Sequence, residues 1–385
     1  MIGNIIEYVH SYGYFDFEAL PFHAVDALVL GQFVYLKIEG IVGGFHSENG
    51  WVTLKELQAH EQVEKLFSDP RWEENNRALF KEMCESKRFG DMKLMYCADH
   101  ICMESETQFM AVTCMFPDGS TKILYRGTDE TIVGWKEDFN MAFQYPIPGQ
   151  SASQMYLQRV AERVKGGFDL LGHSKGGNLA VYAAMHVPEF IQNRIGTIYN
   201  LDGPGFRTEV YRMGSFEKVA DRIVKIIPRS SVVGMLLENH GEYKVVDSKN
   251  MGFLQHDPFS WLIDRIDFIY LEERDTTHRI MDESLNEWIM SLSTDEVSSF
   301  VNTLYQIVAA SEATDLISFT KNWTKSLAGI ATAVQNLDEA TKSNMHKIMK
   351  SLARVSKDRL KEETGIYIHS KIEELSQRIS KEGAE

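Results

Sequence analysis

Cysteine is scarce in this chain: Cys84, Cys97, Cys102 and Cys114 are the only four in 385 residues. They crowd into one stretch without CxxC spacing, and three of them fall in segments that read as strands. A disulfide framework or a thiolate metal site is therefore disfavoured, and buried free thiols are expected. Positive charge is also short. Lys and Arg number 40 against 55 Asp and Glu, for a formal charge of −15 and a pI near 5.3. Nucleic acid is thereby argued against as a partner, because phosphate binding needs a basic footprint. Steady adsorption to anionic membranes is disfavoured for the same reason, although a local apolar lid remains compatible with transient lipid contact.

The first 30 residues hold no Lys or Arg, and Glu7, Asp16, Glu18 and Asp26 interrupt their apolar runs. They do not read as a secretory signal, so a cytoplasmic location is the expectation. No stretch reaches the roughly 20 apolar residues of a membrane span. No internal repeat or low-complexity linker is visible. What is present is ordinary for a globular protein: 44% hydrophobic and 25% charged residues, in a chain long enough for one large domain and a smaller appended unit.

Helical periodicity marks Pro21 to Ile38 and Arg71 to Ser86. Strand-like runs follow at Met92 to Met103, Gln108 to Phe116 and Thr121 to Arg126, with Pro117-Asp118-Gly119 as a hairpin signal. Then come a helix over Ala152 to Val164, a strand over Phe168 to Gly172 and a helix over Lys175 to Met185. Strands at Ile195 to Leu201 and Ile223 to Ile227 complete the series. This alternation predicts an α/β fold, with a mainly parallel central sheet covered by helices on both faces and an antiparallel edge before it. Such sheets place active sites at the carboxyl ends of their strands. From Thr276 the texture is purely helical. Ser293-Thr294-Asp295-Glu296 reads as a capping box, and Met345, Ile348, Met349, Leu352 and Val355 form an apolar stripe. The division expected is a domain over 1–275 and a helical cap or appendage over 276–385.

The sharpest signal is Gly172-His173-Ser174-Lys175-Gly176-Gly177, set between a short apolar strand and a helix. A G-x-S-x-G in that context holds its serine on a tight strand-to-helix turn. Small residues two before and two after keep side chains out of the turn, and the helix N-terminus offers N–H groups to a developing oxyanion. His173, inside the turn, is expected to face the wrong way for a base and to act in packing.

Upstream, Arg126-Gly127-Thr128 closes a strand and Gly134-Trp135-Lys136-Glu137-Asp138 follows. R-G-T, then W-x-x-D, then G-H-S-x-G-G resembles the class 3 (fungal-type) lipases, and more closely a bacterial branch of lipase-like proteins, over about Pro21 to Leu262. The resemblance implies an α/β-hydrolase fold over 1–275. It gives the Lys175 N–H as first oxyanion donor and Thr128 as second, through its N–H, with its hydroxyl as a further donor. Trp135 and Asp138 would brace the loop. Phe139 to Pro148 stands where such lipases carry a lid, though its aromatics are equally read as buried under the helical appendage.

A serine nucleophile needs an imidazole base and a carboxylate to orient it, in the chain order Ser, acid, His for this fold. Six histidines follow Ser174. His256, in the loop Gly252 to Pro258, is best placed, and the resemblance points to it too; His240 is held in reserve. The class 3 pattern puts its acid after the strand Ile223 to Ile227, where this chain has no carboxylate in Pro228 to Gly234. Asp202, one strand earlier, resembles the acid of pancreatic-type lipases and is preferred. Glu238 and Asp247 are the alternatives, and Asp257 is too near His256 in sequence to orient it.

These residues predict a serine-dependent carboxylic ester hydrolase: Ser174, His256 and Asp202 as the triad, Thr128 and Lys175 at the oxyanion. It would act on a small-molecule or lipid ester, without a cofactor or metal. A non-catalytic scaffold of the same fold, and a thioesterase or acyltransferase using the same triad, are the competing readings. The amphipathic C-terminal helices suit a homodimer or protein partner as well as plain packing.

Overall fold

The computed structural model describes residues 2–272 apart from 48, 49, 103, 105, 130–133, 135, 136 and 139. Beyond them it describes 286–288, 291–293, 295–299, 303 and 341. The expected stripe from Met345 to Val355, most of the appendage, Trp135 and Phe139 lie outside the described residues. The capping box is present, with Ser293 Oγ donating to Glu296 Oε2 at 2.8 Å and Glu296 N to Ser293 Oγ at 3.3 Å.

The chain opens with a two-residue strand β1 (Ile2–Gly3) and helix α1 (Ile5–Tyr12). Helix α2 (Ala24–Phe33) is buried on all sides except at Ala24, as expected for AVDALVLGQF, which has no polar stripe. Strand β2 (Val52–Thr53), helix α3 (Leu54–Gln58) and helix α4 (Glu73–Glu85) precede the long hairpin β3 (Lys93–Cys102) and β4 (Thr107–Met115). Strand β5 (Thr121–Tyr125) follows the expected turn, in which Gly119 takes φ +84°. Next are α5 (Pro148–Ala161), β6 (Phe168–His173), α6 (Lys175–His186), β7 (Ile195–Leu201), β8 (Ile223–Pro228) and β9 (Tyr243–Val246). The series ends with β10 (Ile263–Asp264), β11 (Asp267–Phe268) and β12 (Tyr270–Leu271).

Nine of these strands form one sheet in the order β12-β9-β8-β7-β6-β5-β4-β3-β2. Strands β5 to β9 are parallel, while β2 to β4 on one side and β12 on the other pair antiparallel. The sheet is thus mixed around a parallel centre, with a second antiparallel edge that the sequence did not announce. The period-2 alternation of strand side chains assigns the two faces. Leu124, Leu171, Tyr199 and Leu201 join the core containing α2, whereas Ile123, Tyr125, Leu170 and Ile198 join the core built on α5 and α6. Helices therefore cover both faces. No helix among the described residues is long and apolar enough to cross a membrane.

Cys84, Cys97 and Cys114 are free thiols; Cys84 and Cys114 are buried, Cys97 and Cys102 partly so. Burial pushes the Cys84 thiol up to about 12, which leaves it protonated and unreactive at neutral pH.

Candidate active site

Between β6 and α6 the chain reverses at Ser174, which takes φ +58° and ψ −136°. A non-glycine residue at positive φ is costly and needs the surroundings to hold it there. The flanking glycines explain how the turn closes. A Cβ on Gly172 would lie 2.2 Å from the carbonyl carbon of Gly176, and one on Gly176 would lie 2.1 Å from the Tyr125 carbonyl oxygen. Ser174 N donates to Leu201 O at 2.9 Å, tying the turn to the end of β7.

Three side chains converge here. Ser174 Oγ lies 2.9 Å from His256 Nε2, and His256 Nδ1 lies 2.7 Å from Asp202 Oδ2. Asp202 is fully buried at the end of β7, also at positive φ (+52°), with its N–H on Ile226 O. Its carboxylate can only accept, so His256 carries its proton on Nδ1 and presents a bare Nε2 to the serine hydroxyl. The other carboxylate oxygen, Oδ1, accepts from the hydroxyl of Ser231, in the loop after β8 where the class 3 pattern has its acid.

The loop bearing His256 is pinned on several sides. Trp261, wholly buried, donates its indole N–H to Gln255 O at 2.9 Å, and Ser230 N donates to Gln255 Oε1 at 2.9 Å. His173 supplies a further hold. Its ring is fully buried, with Nε2 3.0 Å from the His256 carbonyl oxygen and Nδ1 3.2 Å from the Tyr35 hydroxyl. Burial first, then repulsion from His256 whenever that ring is protonated, holds the His173 imidazole well below its ordinary pKa and keeps it neutral. A neutral ring facing a carbonyl must donate from Nε2, so Nδ1 accepts from Tyr35. His173, Asp202 and His256 each present a ligand-type atom within 4.8 Å of the others. The spacing reflects the hydrogen bond between Asp202 and His256, and the His173 Nε2 proton points at a carbonyl.

Thr128 sits beside the elbow because Gly127 has no side chain. A Cβ there would lie 2.1 Å from the Tyr35 hydroxyl and 3.1 Å from Ser174 Cβ. Thr128 O accepts from Arg71 Nη1 at 3.2 Å, and its hydroxyl donates to Asp138 Oδ2. That hydroxyl is already committed as a donor to a carboxylate, which leaves the N–H as the other donor Thr128 can offer. Lys175 opens α6, where the first N–H groups have no intrahelical acceptor.

The Lys175 side chain has a separate role that the motif did not reveal. Fully buried, its Nζ lies 2.7 Å from Glu137 Oε2, 2.7 Å from Gln108 Oε1 and 3.0 Å from Gln108 O. Glu137 also accepts from Gly149 N at 2.7 Å and Gln108 N at 3.2 Å. The elbow helix, the start of β4 and the chain entering α5 thus meet on one ion pair. A lysine where the motif tolerates any residue, with a Glu–Asp pair downstream of R-G-T, was the available signal.

The other candidates are engaged elsewhere. His240 stacks on Tyr211 at 3.8 Å and lies 3.3 Å from Glu238, which also accepts from Thr208. Asp247 pairs with Arg229 at 3.4 Å, and Asp257 caps the turn at Phe259 with a 3.0 Å bond. Within the segment read as a lid, Met141 and Ile147 cluster with Leu237, and Tyr145 packs edge-on against Tyr182 at 5.7 Å.

These features define a mixed α/β protein with a strained serine turn and a hydrogen-bonded Ser–His–Asp array at the ends of its parallel strands. The profile of the Mbeg1-like family matches residues 83–306, more than half the chain, and the protein belongs to that family. Among solved structures, a crystal structure of M37 lipase aligns with 54% of this chain and 68% of its own, at 16% identity and a TM-score of 0.32. No curated protein sequence matches.

Proposed function

We propose that this protein is a lipase-like serine hydrolase of carboxylic esters, built on an α/β-hydrolase domain. The observation that carries the reading is the continuous array Ser174 Oγ–His256 Nε2–His256 Nδ1–Asp202, at 2.9 and 2.7 Å, on a turn whose serine stands at positive φ. In the proposed reaction, His256 Nε2 takes the Ser174 proton as Oγ attacks the ester carbonyl. Asp202 stabilises the imidazolium, and the Lys175 and Thr128 N–H groups receive the oxyanion. The proton then passes to the departing alcohol. A water activated by His256 releases the acid from the acyl-enzyme by the reverse path.

The irregular place of the acid and the long helical extension are what favour a non-catalytic scaffold. With Asp202 wholly buried and bonded to the imidazole, the first of these supports weakens. Thioester hydrolysis and acyl transfer would use the same groups and differ in the acceptor.

The test is hydrolysis of p-nitrophenyl esters from acetate to palmitate, with fluorophosphonate labelling in parallel. Ser174→Ala and His256→Ala are expected to lose on the order of 10⁶ in kcat, or all detectable activity. Asp202→Asn should lose about 10⁴. Activity or labelling that survives Ser174→Ala would sink the proposal.

A further inference from the structure

We infer that Asn286, in the C-terminal part of the chain, is a positioning residue for the acid of the proposed triad and acts through the loop from Ser231 to Leu237. The inference rests on the Ser174–His256–Asp202 reading and goes beyond it, because it gives the segment after the α/β domain a part in the reaction.

The connection is a chain of short contacts. Asp202 Oδ1 accepts from the Ser231 hydroxyl, so the carboxylate is held on both oxygens. Ser231 Oγ in turn accepts from Gly234 N at 2.9 Å. Gly234 packs directly on the acid: a Cβ there would lie 2.3 Å from Asp202 Oδ1 and 2.7 Å from Ser231 Oγ. Any drift of this turn therefore moves the carboxylate's second partner. Lys225 Nζ holds the turn from below, 2.7 Å from Gly234 O.

The far side of the turn is held by Asn286 together with the Gly205 N–H, which donates to Leu236 O at 3.0 Å. The Asn286 side-chain amide nitrogen donates to Met235 O at 2.5 Å and its carbonyl oxygen accepts from Leu237 N at 2.8 Å. One planar amide thus binds a donor and an acceptor two residues apart. Leu237 needs such a hold, since it is a non-glycine residue at φ +63°. Orienting partners of this kind commonly govern how well a catalytic group is aimed.

The experiment uses the full chain, a short p-nitrophenyl ester, and wild type beside Ser231→Ala, Ser231→Thr, Asn286→Ala and Ser231→Ala/Asn286→Ala, with melting curves for each. Loss of a hydrogen bond to a charged group should lower kcat about tenfold or more in Ser231→Ala with KM little changed. Ser231→Thr keeps the hydroxyl and should recover most of that loss. Asn286→Ala should lower kcat several-fold at constant KM, and the double variant should be no slower than Ser231→Ala, because both act on one path. Asn286→Ala at wild-type kcat, or additive losses in the double variant, would overturn the inference. If Ser231→Ala does not fold, the kcat and KM of Asn286→Ala decide alone. A wild type that neither turns over the ester nor labels with fluorophosphonate would fail at the triad reading itself, before any variant is compared.

Discussion

Asp138 shows how much the surroundings of a single residue decide. A quarter of its side chain meets solvent (24%), yet Oδ1 is enclosed, 3.8 Å from the Lys175 ammonium and without a hydrogen-bond partner among the described residues. Desolvation raises its carboxyl to about 6, against the opposing pull of Lys175 and the Thr128 hydroxyl. The consequence for stability follows from linkage. Between about pH 4 and 6 the unfolded chain ionises this group while the folded chain still holds the proton, so stability falls as pH rises through that window. Asp138→Asn should flatten that fall, read by urea unfolding at intervals from pH 4 to 7. Parallel curves for the two proteins would remove Asp138 as the cause. At this scale Ser174, His256 and Asp202 were legible as residue types in the right order and context. Ser231 was not, because a serine in a loop carries no signal until the carboxylate beside it is known. The commitment of the Thr128 hydroxyl to Asp138 was hidden in the same way.

At the scale of elements, the buried ion pair of Lys175 and Glu137 joins α6 to β4 and to the chain entering α5. Both side chains are fully buried, so removing one charge strands the other. Lys175→Met should destabilise the fold by about 3–5 kcal/mol, and adding Glu137→Gln should restore part of it. Denaturant midpoints would show this, and a Lys175→Met midpoint equal to wild type would refute it. The parallel strands were readable because β6, β7 and β8 are apolar runs bounded by turn residues. Strand β9 escaped because Tyr243-Lys244-Val245-Val246 is half exposed, and β12 because two residues cannot show a period. Helix α1 had a usable signal in the capping box of Asn4 and Glu7, but little apolar length beyond it.

Across the whole molecule, the three side chains of the array come from distant parts of the chain. Ser174 and His256 are 82 residues apart, and Asp202 and His256 are 54 apart. They meet only after β6, β7, β8 and β9 have paired in register and the loop under Trp261 has closed on Gln255. Local helices close early in folding, whereas contacts of such separation come after long loops have been drawn together. Closure of the proposed catalytic array is therefore a late-arriving clock on assembly of the sheet. During refolding from urea, far-ultraviolet helical signal should recover first, and fluorophosphonate reactivity should return no sooner than burial of Trp261. A variant that slows strand pairing would delay the chemistry while leaving the early helical signal in place.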